Sequence, residues 1–243
     1  MNEIYGGLRN RVRRLIGPLS GLPPEDREAI EAIKDRRLTY LSDRRLRSIV
    51  TTCRSITSQG LSGCFVEAGC ALGGSTILIS KHKGSQRPLY VYDVFDMIPP
   101  PTEEDGDDIQ ERYERIRSGQ SEGLGGDTYY GYQDDLYAKV QANLREFDLD
   151  PRIDRIHLIK GLLQDTLRID EPVAFAHIDV DWYDPVRACL ERIVPRLVVG
   201  GVVILDDYKD WSGCHRAADE YFQGRSGFRM DDSSGSLKIQ RVA

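Results

Sequence analysis

No stretch of the 243 residues approaches the roughly 18 consecutive apolar side chains that a membrane span requires, and the first residues lack the apolar core and small-residue cleavage site of a secretory leader. Positive charge is short too. Thirty-three Lys and Arg stand against 39 Asp and Glu, a formal charge of −6, which leaves no field to hold a phosphate backbone and disfavours nucleic acid as a partner. The five cysteines (Cys53, Cys64, Cys70, Cys189, Cys214) are odd in number, form no C-x-x-C, and mostly sit inside apolar runs. They read as buried thiols of a reducing compartment, and the expectation is a soluble, cytoplasmic protein. No internal repeat is visible, and the length suggests one large domain with added arms.

What is present changes character near residue 60. Residues 1–17 carry Ile4, Leu8, Val12, Leu15 and Ile16 at helical spacing among four arginines, an amphipathic arm suited to a neighbouring subunit, to the protein's own body or to a membrane surface. Pro23-Pro24-Glu25-Asp26 opens a helix running to about Arg37, and Ser42 or Asp43 caps another that Gly60 stops. Residues 1–60 therefore read as a helical extension of the domain that follows over 61–243. From Gly63, short apolar strands alternate with helices, the grammar of a parallel sheet with crossover helices. Strands are expected at Cys64–Glu67, Leu89–Val94, Arg155–Lys160, Val173–Asp181 and Gly201–Leu205. Helices are expected at Ser75–Lys83, Asp134–Phe147, Asp184–Arg196 and His215–Phe222. Phe228–Asp231 and Ser236–Arg241 flank a turn and predict an antiparallel edge hairpin. The stretch 96–131 fits neither pattern. It holds Pro99-Pro100-Pro101, an acidic run at 103–108, a helical piece Ile109–Ile116 and a flexible Gly119–Gly126, and it reads as a lid over a site, or else as a solvated acidic loop.

Two constellations carry chemistry. The first is Val66–Ser75 (VEAGCALGGS), where a strand ending in Glu67 runs through Gly69, Gly73 and Gly74 into a helix. Glycines allow close backbone approach, and the helix start offers free N–H groups. It is not G-x-G-x-x-G, so a dinucleotide is not the natural guest. A strand-ending acid before glycines suits an ammonium and sugar hydroxyls, as in S-adenosylmethionine, and Asp93 ends the next strand where a ribose would be met. The second constellation is His177–Tyr183 with Gly200–Tyr208. Alternation puts Asp179 and Asp181 on one side of an apolar strand, and Asp206-Asp207 end the neighbouring one. Four carboxylates so close repel unless a cation neutralises them, and without a His/Cys cluster a hard ion such as Mg²⁺ fits best. The plainer reading is that these acids cap a turn and a helix. His177 amid strand apolars reads as a core residue more than a ligand, Cys214-His215 lacks the third group a nucleophilic pair would need, and Trp182 and Tyr183 suit either stacking or packing.

Taken together, VEAGCALGGS, YVYDVFDMIP, KGLLQDTL, HIDVDWYDP and GGVVILDDY resemble the macrocin O-methyltransferase (TylF) family of sugar O-methyltransferases, over about Leu38 to Phe222. The resemblance implies an α/β fold of the class I S-adenosylmethionine-dependent kind, Rossmann-like with a seven-stranded, mostly parallel sheet, S-adenosylmethionine and Mg²⁺ as cofactors, a glycosylated small-molecule acceptor, and a homo-oligomer. Carried over by position, Glu67, Gly69 and Ser75 fall in the donor loop, Asp93 at the ribose, and Gly161 and Asp165 near the adenine. Thr39 falls in a segment that closes over the donor. Asp179, Asp206 and Asp207 match the metal ligands, and Asp181 the general base. Ala71-Leu72 replace an aromatic and a basic residue, Asp96–Pro99 replaces Glu-Gly-Leu-Pro, and the lid holds no histidine; these departures bear on the acceptor. The same acids would serve a methyltransferase of catechols or other vicinal diols, and a non-catalytic donor-binding subunit is the alternative from another class.

Overall fold

Five short apolar runs become five parallel strands bounded by turn residues; the central ones, Cys64–Ala68 and Val173–Ile178, are buried along their whole length and need no alternation with polar side chains. The computed structural model describes residues 17–243; the expected arm at 1–17 lies outside them apart from its last residue. In chain order the elements are helices α1 (Pro24–Asp35) and α2 (Asp43–Ser58), strand β1 (Cys64–Ala68), α3 (Gly74–His82), β2 (Leu89–Asp93), α4 (Asp107–Arg117), α5 (Leu136–Glu146), β3 (Ile156–Lys160), α6 (Leu163–Thr166), β4 (Val173–Ile178), α7 (Tyr183–Ile193), β5 (Leu197–Leu205), α8 (Ser212–Phe222), β6 (Phe228–Asp231) and β7 (Leu237–Arg241). Single 3₁₀ turns cover Leu124–Gly126, Tyr130–Tyr132, Val194–Arg196 and Asp206–Lys209.

The sheet order is β3-β2-β1-β4-β5-β7-β6. β1 to β5 run parallel, β7 lies antiparallel against β5, and β6–β7 is the expected hairpin. Alternation along the strands divides the core. Phe65, Phe175, Val202 and Ile204 face a layer built from α1, α2, α3 and α5. Val66, Ala176, Val203 and Leu205 face α6, α7 and α8. The helices of the N-terminal segment thus cover one face of the sheet. Local chemistry sets their ends: Pro24 begins α1 with Glu25 and Asp26 in its first turn, the Ser42 hydroxyl accepts from Arg45 N–H at the start of α2, and Asp135 does the same for α5.

Two strand boundaries differ from expectation by more than one residue. β4 stops at Ile178, three residues early. The Asp179 N–H makes a last bond to the Ala68 carbonyl at 2.8 Å, the chain then folds into a tight turn closed by Trp182 N–H on the Val180 carbonyl, and Asp181 is left-handed at φ 54°. Strand alternation therefore does not orient Asp181. β5 begins four residues earlier than expected, because a register shift against β4 absorbs Val198–Gly201.

The segment 96–131 is more structured than a solvated acidic loop. Asp105 is buried and accepts from Tyr183 N–H at 2.8 Å, Asp108 accepts from Ser212 N–H at 2.9 Å, and Glu104 pairs with Arg216. The acidic run is consumed at the starts of α7 and α8, where carboxylates complement free N–H groups.

The linker from α1 to α2 crosses the start of α3. Gly74 N–H donates to the Leu38 carbonyl at 3.1 Å, and a Cβ at position 74 would lie 2.4 Å from that oxygen. Gly74→Ala is expected to lower stability by about 1–3 kcal/mol through overpacking, read as a lower urea midpoint with an unchanged slope; an unchanged midpoint would show that the linker yields freely.

Candidate active site

A cavity of about 370 Å³ opens over the carboxyl ends of all five parallel strands, and its wall includes Gly69, Asp93, Gly161, Asp179 and Asp206 from just beyond β1 to β5 in turn. Open α/β sheets bind ligands here, where the strand order reverses between β1 and β4. The lid and the linker before α2 complete the wall with Ile98, Arg112, Tyr129 and Tyr40.

On the β1–β3 side the backbone makes a glycine cradle. Gly69 is left-handed at φ 80°, and a Cβ there would fall 1.8 Å from the Asp179 carbonyl oxygen, so only glycine lets the two loops touch. Asp93 lines the cavity and is almost fully buried. Its carboxylate accepts from Cys70 N–H at 2.7 Å, Ala71 N–H at 3.3 Å and Phe95 N–H at 2.7 Å, while burial raises its pKa against those bonds. It shapes the cradle as well as facing it. Gly161, at φ 145°, leads Leu162–Gln164 onto the same wall.

Four expected donor-site residues lie elsewhere. Glu67 is wholly buried and off the cavity wall, because alternation turns it to the same face as Phe65; there it accepts from the Thr76 hydroxyl and sits 3.4 Å from His177 Nδ1. It serves the core and does not face an ammonium. Ser75 is buried in the first turn of α3, Asp165 is exposed on α6, and Thr39 is occupied with Leu41 N–H; none reaches the cavity wall, although Tyr40 and Leu41 beside Thr39 do.

On the β4–β5 side the acids converge. Asp179, Asp181 and Asp207 each offer a carboxylate oxygen within 4.8 Å of the other two, and Asp181 N–H donates to Asp207 Oδ2 at 3.2 Å. Burial, then repulsion from Asp206 and Asp181, pushes Asp179 up to about 8. Burial also carries Asp181 to about 6, against the pull of Arg112. Asp207 is driven well above its ordinary value by burial and by the neighbouring carboxylates.

Asp206 belongs to a different set. It is buried, its Oδ2 accepts from Arg45 Nη1 at 2.7 Å, and its Oδ1 accepts from the Ser236 hydroxyl at 2.9 Å. Burial opposes its charge, but His177, Arg45 and Ser236 outweigh burial and hold it below the usual range. His177 lies between Glu67 and Asp206, its Nε2 3.9 Å from Asp206 Oδ1. Burial favours the neutral ring, yet Asp206, Glu67 and Asp179 raise its pKa to about 10. His177 is thus a core residue, as its strand position suggests, and the carboxylates around it favour its charged form. A hard divalent ion fits the open group of Asp179, Asp181 and Asp207, which presents oxygen donors alone; Asp206 stands beside that group with lone pairs left on both oxygens.

Among the cavity residues whose place the sequence analysis did not single out are Arg45, Arg112 and Asp96. Arg45 of α2 binds Asp206, Asp210 and the Gly235 carbonyl. Arg112 of α4 lies 5.6 Å over the Tyr129 ring and donates to the Ser121 hydroxyl. Asp96 is an exposed acid on the donor side of the wall. Their only signal is charge on segments assigned to other tasks.

Solved structures share this architecture. The O-methyltransferase NovP superposes with a TM-score of 0.69 at 24% identity, over 85% of this chain and 83% of that one. The Bacillus cereus O-methyltransferase solved with S-adenosylhomocysteine gives 0.56 at 14% identity, over the full length of both. Sheet order and cavity placement define a class I S-adenosylmethionine-dependent methyltransferase fold. Residues 24–229 match the macrocin O-methyltransferase (TylF) family, and the chain belongs to it; it is an S-adenosylmethionine-dependent O-methyltransferase. It is 27% identical over 195 residues to the demethyldecarbamoylnovobiocin O-methyltransferase of Streptomyces niveus, covering 75% of this chain and 67% of that one. It is 28% identical over 195 residues to the 8-demethyl-8-(2,3-dimethoxy-alpha-L-rhamnosyl)-tetracenomycin-C 4'-O-methyltransferase of Streptomyces olivaceus, covering 78% and 69%.

Arg45→Met leaves Asp206 charged and buried without its guanidinium, and is expected to cost on the order of 3 kcal/mol in chemical denaturation. Adding Asp206→Asn should recover part of that loss. A double variant no more stable than Arg45→Met would show that the arginine acts by packing alone.

Proposed function

We propose that the protein methylates a hydroxyl of a sugar on a glycosylated natural product, with a divalent cation, Mg²⁺ by its oxygen donors, held by Asp179, Asp206 and Asp207. One observation carries this reading: a cluster of carboxylates faces a glycine cradle across a single cavity, and the cluster is too acidic to stand uncompensated. The relatives above, named for demethyldecarbamoylnovobiocin and for a rhamnosyl tetracenomycin C, support the acceptor class.

S-adenosylmethionine supplies an electrophilic methyl on a sulfonium, and a bound divalent ion lowers the pKa of a hydroxyl that it contacts. The chain's own residues do the rest. The backbone at Gly69 and Gly161 fixes the donor's position, and Asp93 keeps the cradle in shape. Asp181 takes the hydroxyl proton, so it must stay free of the cation; Arg112 nearby favours its charged form. Arg45 and Ser236 hold Asp206 in one orientation. The lid keeps water from the acids, which strengthens each charged contact. Tyr129, Tyr130, Trp182 and Trp211 present flat faces on which a pyranose or an aromatic diol can lie, so a catechol acceptor is the second reading. Assembly into a homo-oligomer belongs to the same proposal and is read by light scattering.

EDTA is expected to abolish turnover and Mg²⁺ to restore it; a chelator-insensitive enzyme would sink the cation. Mass spectrometry for a methyl gain on deoxysugar glycosides and on catechols decides the acceptor. Asp181→Asn should lower kcat by about a hundredfold or more while calorimetry shows cation and S-adenosylhomocysteine binding intact. Asp179→Asn and Asp206→Asn should weaken the cation instead. Loss of cation affinity in Asp181→Asn, with affinity kept in Asp206→Asn, would transfer the third ligand to Asp181.

A further inference from the structure

Asp181 stands on strained backbone. Its left-handed φ of 54° is a conformation that side-chain-bearing residues rarely adopt, and its own N–H holds only the carboxylate of Asp207. The next two residues are gripped from outside, by the lid. The Trp182 indole N–H donates to the Pro99 carbonyl at 2.9 Å, and Tyr183 N–H donates to Asp105 Oδ1 at 2.8 Å, a partner 78 residues away. The other oxygen of Asp105 accepts from Thr102 N–H at 3.0 Å, so the carboxylate is fixed on the lid side too. Trp182, the residue before α7, supplies no side-chain cap of its own.

The fit of this clamp accounts for two glycines. A Cβ on Gly213, inside α8, would lie 2.4 Å from Asp105 Oδ1 and 2.8 Å from Tyr183 N. Gly213 has no positive φ, so close approach, and not backbone freedom, requires glycine there. A Cβ on Gly106 would likewise lie 2.6 Å from Ser212 Oγ and 2.8 Å from Asp108 Oδ1, at the bond that ties the lid to the start of α8. The lid is therefore seated on both helices that begin just after the acidic turns.

We infer that Asp105 is a positioning residue for methyl transfer: through Tyr183 N–H it holds the turn that aims Asp181 at the acceptor hydroxyl. The inference rests on the reading of Asp181 as proton acceptor. Geometry of this kind is costly to lose, since a misplacement near 1 Å in a reacting group slows turnover by about a hundredfold.

Asp105→Ala should lower kcat by about ten- to hundredfold with the KM for S-adenosylmethionine unchanged. Asp105→Asn, which keeps an oxygen for Tyr183 N–H but turns its amide nitrogen towards Thr102 N–H, should restore part of the rate, an outcome that general loosening of the lid does not produce. In an Asp181→Asn background, Asp105→Ala should cost nothing further. An equal loss in both backgrounds, an unchanged kcat in Asp105→Ala, or a rise in donor KM matching the loss in rate would each overturn the inference. Hydrogen exchange of the segment 180–184 decides the contact without reference to turnover: faster exchange in Asp105→Ala, slowed again in Asp105→Asn, supports it, and unchanged protection in Asp105→Ala refutes it. Should Asp105→Ala not fold, Asp105→Ser, whose shorter side chain falls short of Tyr183, takes its place. Near-normal turnover in Asp181→Asn alone would remove the proton-acceptor reading and, with it, the aim assigned to Asp105, whereas a catalytic loss in Asp181→Asn with unchanged exchange in Asp105→Ala removes only the Asp105 role.

Discussion

The mutual repulsion of carboxylates at the ends of β4 and β5 is the constraint around which the molecule is arranged. Asp179, Asp181, Asp206 and Asp207 come from two adjacent parallel strands, and Glu67 stands one strand further along in register with His177. Left in a partly dry environment, such a group loses its charge or unfolds its surroundings. The fold meets the cost unevenly. His177 and Arg45 neutralise the inner acids, Glu67 and Asp206, from within the core. The outer acids face the cavity with no bonded cation among the described residues and carry raised pKa values. Glu67 is thereby kept in the core, while Asp206, oriented by Arg45 and Ser236, stands beside the uncompensated outer acids.

This division explains why the N-terminal helices belong to the enzyme's working parts. Arg45 reaches Asp206 across 161 residues of sequence and also binds the Gly235 carbonyl in the β6–β7 turn. One guanidinium therefore ties α2, the acidic turn and the antiparallel edge hairpin together, with the planar fork suited to several acceptors at once. On the other side, Gly69 against the Asp179 carbonyl joins the cradle to the acids so closely that neither loop can shift alone. Donor and acceptor sides are packed as one piece.

The strands and helices were legible in the sequence because apolar runs, prolines and capping residues are local signals; each of the five parallel strands fell where its apolar run lies, and errors were confined to ends. The class of site was legible for the same reason, since paired acids after apolar strands are contiguous. What each acid does was less so. Asp181 joins Asp179 as expected, but through a left-handed turn and not through strand alternation. Glu67 looked like a ligand because it ends a strand before glycines, yet period-two alternation already placed it beside Phe65 in the core. Arg45 and Arg112 left no trace, because an ion pair between distant segments has no spacing to read. The acids at 103–108 misled in the opposite sense: a run of charge reads as solvated, and only the tertiary fold shows that Asp105 and Asp108 complete two helices.

The lid's attachment bears on how one fold serves many acceptors. Its contacts with the body are concentrated at helix starts and at Trp182, where backbone N–H groups, an indole and glycine clearances meet carboxylates. Those anchors depend on few side chains. The surface the lid turns to the cavity, with Ile98, Pro99, Arg112, Tyr129 and Tyr130, makes no part of the acid cluster or the glycine cradle. On the proposed reading, changes at Ile98, Tyr129 or Tyr130 alter shape and polarity for the acceptor, whereas Arg112 also acts on the charge of Asp181 and the Pro99 carbonyl holds Trp182. The proposed function thus lodges chemistry in the strand ends and acceptor choice in an insertion fixed at its margins. The anchors must stay while the face can vary, since the turn carrying Asp181 is braced by the same insertion that selects what lies in front of it.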